Sequence, residues 1–140
     1  MYRRSGFSLI EVTIVMTLLA IIALIVLPTV VNASRDSRET QLLSHLRALR
    51  EAVALFQSQC GDLPAKLEDV VAADGSGLKG ASGDLIPANS YRGPYFTAPG
   101  GQLPVDPMTG ARDWHYEPTT GQVHSASTGV SSKGTLYNTW

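Results

Sequence analysis

The chain has 140 residues, of which 11 are basic and 12 acidic, giving a formal net charge of −1 at pH 7 with the histidines neutral. That balance leaves no basic footprint for nucleic acid, and a single cysteine, Cys60, excludes an internal disulfide. The part from about Asn32 to Trp140 is enough for one small core and no more.

At the N-terminus Arg3 and Arg4 stand directly before a long apolar run, in which Glu11 is the one charge between Phe7 and Val31. About 20 apolar residues cover a bilayer's hydrocarbon core, so the run is long enough to span. The flanking arginines hold its start in the cytoplasm and send the rest across. A carboxylate inside such a segment costs on the order of 3 kcal/mol or more, so Glu11 needs a partner or a purpose. Two plainer readings compete. A secretory signal peptide would use Arg3 and Arg4 as its charged region and Val31-Asn32-Ala33 as a poor cleavage site, leaving a chain that starts at Ser34. The run is much longer than the usual hydrophobic region of such a peptide. A single-pass anchor fits the length but leaves Glu11 unexplained.

Past the apolar run, Leu42, Leu46, Leu49, Val53 and Phe56 recur at spacings of three and four between Arg35 and Gln59. This is one core-facing stripe at helical period, with Arg38, Glu39, Arg47, Arg50 and Glu51 mostly off it. The two parts together predict a single helix from Phe7 to about Gln59, roughly 80 Å long at 1.5 Å per residue. Pro28 lacks a backbone donor and is expected to kink or locally melt it. Cys60-Gly61 ends it.

The composition then changes. Residues 61–101 read as loops punctuated by Gly, Ser and Pro, Asp74-Gly75-Ser76-Gly77 among them, with a short helix from Pro64 to Ala73. Ser90 to Phe96 forms an aromatic cluster without alternation. Trp114 and Tyr116 alternate with His115 and Glu117, as in a strand with its aromatics inward. Pro118 to Gly121 is a turn, and Gln122 to Ser127 returns as a second strand. The fold class is α+β, a long N-terminal helix packed on a small antiparallel sheet spread over about 102–140.

No enzyme signature emerges. Cys60 with His45 or His115 as base has no third orienting group. His115 and His124 could face each other across the hairpin, but two imidazoles make a weak metal signal. Turn chemistry and solvent exposure account for Asp106, Asp113 and Glu117.

Gly6-Phe7-Ser8-Leu9-Ile10-Glu11-Val12 resembles the prepilin processing motif of type IV pilins and type II secretion pseudopilins. The resemblance implies a prepilin peptidase that cuts between Gly6 and Phe7, N-methylation of Phe7, and a glutamate at the fifth position of the processed chain, where Glu11 stands. Pro28 falls where many family members carry a helix-softening proline. The implied division is a leader 1–6, a transmembrane and filament-core helix 7–31, and a periplasmic domain 32–140, with an amphipathic helix about 35–59, loops 61–101 and the sheet about 102–140. In a filament Glu11 would pair with the Phe7 amine of a neighbouring subunit, neutralising a buried charge and fixing register.

Leu103-Pro104-Val105-Asp106-Pro107, the Trp114/Tyr116 strand, Ser125-Ala126-Ser127-Thr128-Gly129 and Trp140 look like features of the major pseudopilin. That likeness implies a structural subunit rather than an enzyme. It would sit single-pass in the bacterial inner membrane and assemble as a homo-oligomeric helical filament in the periplasm. Its partners would be the prepilin peptidase, minor pseudopilins and the inner-membrane assembly platform; a type IV pilus subunit for adhesion, motility or DNA uptake is the alternative. One departure concerns calcium, which the major pseudopilin holds with acidic residues of its C-terminal loop. From Ser125 to Trp140 this chain has no Asp or Glu. Ser127, Thr128 and Ser131 are the weak calcium candidates, helped by Ser132, Asn138 or a distant Asp. The expectation is that hydrogen bonds take the ion's place, with no other cofactor.

Overall fold

The computed structural model describes residues 8–140, apart from the side chains of 26–32. Helix α1 runs from Leu9 to Cys60. It stops where Gly61 takes a left-handed φ of +82°, which a residue with a Cβ rarely adopts, and donates its N–H to the Gln57 carbonyl at 2.9 Å. The chain divides into two compact units that meet between Ser37 and Arg38.

The first unit is the apolar half of α1. Thr13 and Thr17 turn their hydroxyls back onto the Ile10 and Ile14 carbonyls at 2.9 and 2.8 Å, so neither presents an unpaired donor outward. Among the described residues no helix is long and apolar enough to cross a membrane. The described apolar side chains end at Ile25, inside the expected 7–31 segment. Pro28 lies among the residues whose side chains fall outside the description, and the helical assignment continues through it.

The second unit is built on the other half of α1. All five residues of the expected stripe, Leu42, Leu46, Leu49, Val53 and Phe56, are buried, and Ala52 joins them. Against this stripe pack Leu67, Val70, Ile86, Tyr91, Leu103, Val123 and Tyr137. Phe56 meets Tyr91 and Tyr95 edge-on, with ring centroids 6.1 and 5.8 Å away, so the Ser90–Phe96 cluster caps the C-terminal end of the stripe.

Strands β1 (His115–Glu117) and β2 (Gln122–His124) pair antiparallel with His115 opposite His124. Gly121 closes the turn with a φ of +72°, a conformation that favours glycine, and a Cβ there would press on the tip of the Leu63 side chain. The sheet is smaller than the sequence suggested. In place of strands across 102–140 there are the two three-residue strands of the hairpin and, separate from them, one isolated bridge, Val130 to Leu136. The reason is local. The N–H groups of Ser127 and Gly129 bond to the Ser125 and Ser127 hydroxyls at 3.1 and 3.2 Å, so short polar side chains take the place of ladder partners. The expected helix from Pro64 to Ala73 is likewise a 3-10 turn, Leu67–Val71. Asp69 accepts the Lys66 N–H at 3.0 Å and fixes its first turn, while Pro64 is drawn into a bridge with Gly80.

Burial pushes the hydroxyls of Tyr91 and Tyr116 up to about 12. Both donate to backbone carbonyls, Tyr91 to Ala72 at 2.7 Å and Tyr116 to Pro64 at 2.8 Å. An acid whose folded pKa is raised binds its proton more tightly in the native state. Its contribution is therefore complete below the unfolded value near 10 and lost as pH rises toward 12. Melting temperature is expected to fall steeply between about pH 10 and 12, and Tyr91→Phe should flatten that fall. An equally steep fall in Tyr91→Phe and Tyr116→Phe would refute the assignment.

Candidate functional site

Leu9 to Ile25 presents apolar side chains on every face: Leu9 is 82% exposed, Leu24 76%, and Ile10, Met16 and Ile25 are similar. Aqueous proteins leave few such surfaces, and a helix that is hydrophobic all round is one that lipid or other helices cover. Glu11 sits in its first turn, where the macrodipole favours a carboxylate, and its side chain is exposed on the isolated subunit. Gly6 and Phe7 lie outside the described residues.

At the other end, the C-terminal loop is tied to α1 by charges that the sequence suggested were solvated. Glu39 is only 7% exposed. Its carboxylate accepts the Ser132 N–H and hydroxyl at 2.7 Å each and the Tyr137 hydroxyl at 2.8 Å. Arg50 donates to the Val123 carbonyl at 2.8 and 3.2 Å and also to the Trp140 carbonyl. Asp106 keeps its expected turn, accepting the Met108 N–H at 2.7 Å, but it is fully buried and takes the Ser125 hydroxyl as well. The one signal for the burial of Glu39, though not for its partners, is its place three residues before Leu42 at the edge of the stripe.

The Leu103–Pro107 stretch is anchored from the segment leading into β1. Trp114 donates its indole N–H to the Pro104 carbonyl at 2.7 Å and Arg112 donates to the Leu103 carbonyl at 2.8 Å.

Of the three oxygens named for calcium, those of Ser127 and Ser131 make hydrogen bonds within the loop. The Ser127 hydroxyl accepts the Gly129 N–H at 3.2 Å. Ser131 pairs with the Thr135 hydroxyl at 2.8 Å and accepts the N–H groups of Lys133 and Thr135 at 3.2 Å. Calcium takes six to eight oxygens, usually with several carboxylates, and among the described residues no group of three or more His, Cys, Asp or Glu could hold a metal.

Residues 1–27 match the prokaryotic N-terminal methylation motif. Across 94% of its length the chain is 25% identical to type II secretion system core protein G of Pseudomonas aeruginosa, 87% of which is covered. The chain therefore carries an N-terminal methylation motif of the prepilin type. No solved structure matches it.

The thiol of Cys60 lies 3.9 Å from the Tyr95 hydroxyl and 4.0 Å from the Ser90 carbonyl. His45 instead packs edge-on against Trp114. His115 and His124 do face each other, along an open groove of about 570 Å³ with Asp113 and Asn138. Both ring nitrogens of His124 are engaged, Nδ1 with the Trp140 carbonyl at 2.9 Å and Nε2 with Gln122 at 3.2 Å. Asp113 and Glu117 are exposed and accept the Thr109 and Thr119 hydroxyls.

Proposed function

We propose that the chain is a structural subunit of a type II secretion pseudopilus. It waits in the inner membrane, is cut between Gly6 and Phe7, and is then drawn into a periplasmic filament that drives export of folded proteins. The observation that carries this reading is a helix exposed and apolar on all faces, with one carboxylate in its first turn, directly behind a methylation motif. Packing α1 against copies of itself covers that surface, and the Phe7 amine of a neighbour supplies the cation for Glu11. The likeness to a secretion-system core protein over nearly the whole chain favours a pseudopilus over a type IV pilus.

Intact mass and N-terminal sequencing of the protein from its native membrane test the processing step. A chain beginning at N-methylated Phe7 is expected; one beginning at Ser34 would mean ordinary secretion.

Glu11→Ala tests the assembly step. It removes a charge from the apolar helix, so membrane insertion should be intact. Breaking a buried pair by removing one partner costs about 3–5 kcal/mol, which should reduce sheared or cross-linked filaments to a small fraction of wild type. Wild-type filament yield from this variant would show that the amine pairing is not used.

A further inference from the structure

The C-terminal loop has a charge pattern opposite to that of a cation site. Between Ser125 and Trp140 the only charged side chain is Lys133, itself a cation. Toward Glu39 of α1 the loop directs a set of donors, the N–H and hydroxyl of Ser132 and the hydroxyl of Tyr137, while its Trp140 carbonyl accepts from Arg50. Tyr137 is buried, its N–H donates to the Gly129 carbonyl at 3.0 Å, and its ring meets Trp140 edge-on at 5.3 Å. Around Ser132 and Tyr137 the loop is therefore folded about an anion supplied by the helix, with its own groups as donors. A calcium site is the reverse, a cation surrounded by acceptors.

We infer that the Glu39 carboxylate holds the loop 125–140 closed and that this closure needs no divalent cation. An ionised carboxylate accepts charge-assisted hydrogen bonds, which are shorter and stronger than neutral ones. Here it ties the loop to the same helix face that carries Leu42 and Leu46. A calcium ion entering the loop would have to displace the donors from Glu39 and take the Ser127 and Ser131 hydroxyls from the N–H groups they accept. The buried Tyr137 hydroxyl would then be left without a partner, which is unfavourable. Asp106 is no more available, since it already accepts the Ser125 hydroxyl and the Met108 N–H. The inference holds whether the filament is a pseudopilus or a pilus.

The test uses the full processed chain in detergent, comparing thermal melting and limited proteolysis of the loop in millimolar calcium and in EGTA. Wild type is expected to melt at the same temperature and resist cleavage equally in both. Glu39→Ala should open the loop, raising the cleavage rate between residues 125 and 140 on the order of tenfold or more. Tyr137→Phe keeps the ring and removes one donor, so it should give a smaller, several-fold increase that calcium does not reverse. The inference is overturned if calcium raises the wild-type melting temperature or EGTA exposes the loop. It is also overturned if Glu39→Ala is cleaved no faster than wild type. If Glu39→Ala does not fold, the wild-type comparison and Tyr137→Phe decide the matter by the same criteria.

Discussion

A Gly6→Glu chain is expected to accumulate at full length with its leader attached and to enter no filaments. The methylation motif spans residues 1–27 and so covers both sides of the Gly6–Phe7 bond. A peptidase must bring its catalytic groups against the backbone there, and glycine permits the closest approach because it has no Cβ. A charged side chain at that point adds bulk and a desolvation penalty at a membrane surface. The consequences then compound. Without the cut Phe7 gains no α-amine, so in the proposed filament Glu11 would have no cation to meet. Arg3 and Arg4 also stay attached, holding the N-terminus on the cytoplasmic side. Intact-mass measurement of the membrane fraction should show processing drop from nearly complete to undetectable, while Gly6→Ala loses far less. A Gly6→Glu protein still trimmed to Phe7 would remove the basis for a prepilin-type subunit.

Phe56→Ala is expected to be the most damaging substitution in the folded unit. Phe56 is fully buried at the end of the α1 stripe and meets both Tyr91 and Tyr95. Removing a buried ring leaves a cavity that the neighbours fill only in part, at about 3–5 kcal/mol. A domain of this size is stable by only about 5–15 kcal/mol, so much of its margin disappears. The melting temperature, followed by circular dichroism in one detergent, should fall by roughly 10–30 °C. Leu55→Ala serves as the control: Leu55 is adjacent in sequence but exposed, and its loss should shift melting by a few degrees at most. Similar shifts for the two variants would mean that the stripe is not the centre of the core.

The sequence by itself determined the helix, its buried stripe and its end. The signals are periodic and local: Leu42 to Phe56 repeat at helical spacing, and Gly61 supplies the left-handed residue that stops α1. The hairpin was legible for the same reason, since Trp114 to Glu117 alternate, a Pro-Thr-Thr-Gly turn follows, and the strands pair as that turn dictates. The methylation motif over residues 1–27 was legible because such a motif is read along the chain.

Tertiary structure alone decided the roles of Glu39, Arg50 and Asp106. Taken as single residues, charges on an amphipathic helix or in a turn read as solvated. The partners of Glu39 lie 93 and 98 residues further on, and those of Arg50 lie 73 and 90. No local pattern encodes such pairings; they exist because the loop folds back onto α1. The extent of the sheet was also decided there, since Ser125 and Ser127 can bond to nearby N–H groups or leave them to a strand partner, and the competition resolves only when the chain is packed. Periodicity reports which face of an element is buried, but a buried polar group is defined by its partner, and the partner's position is a property of the whole fold.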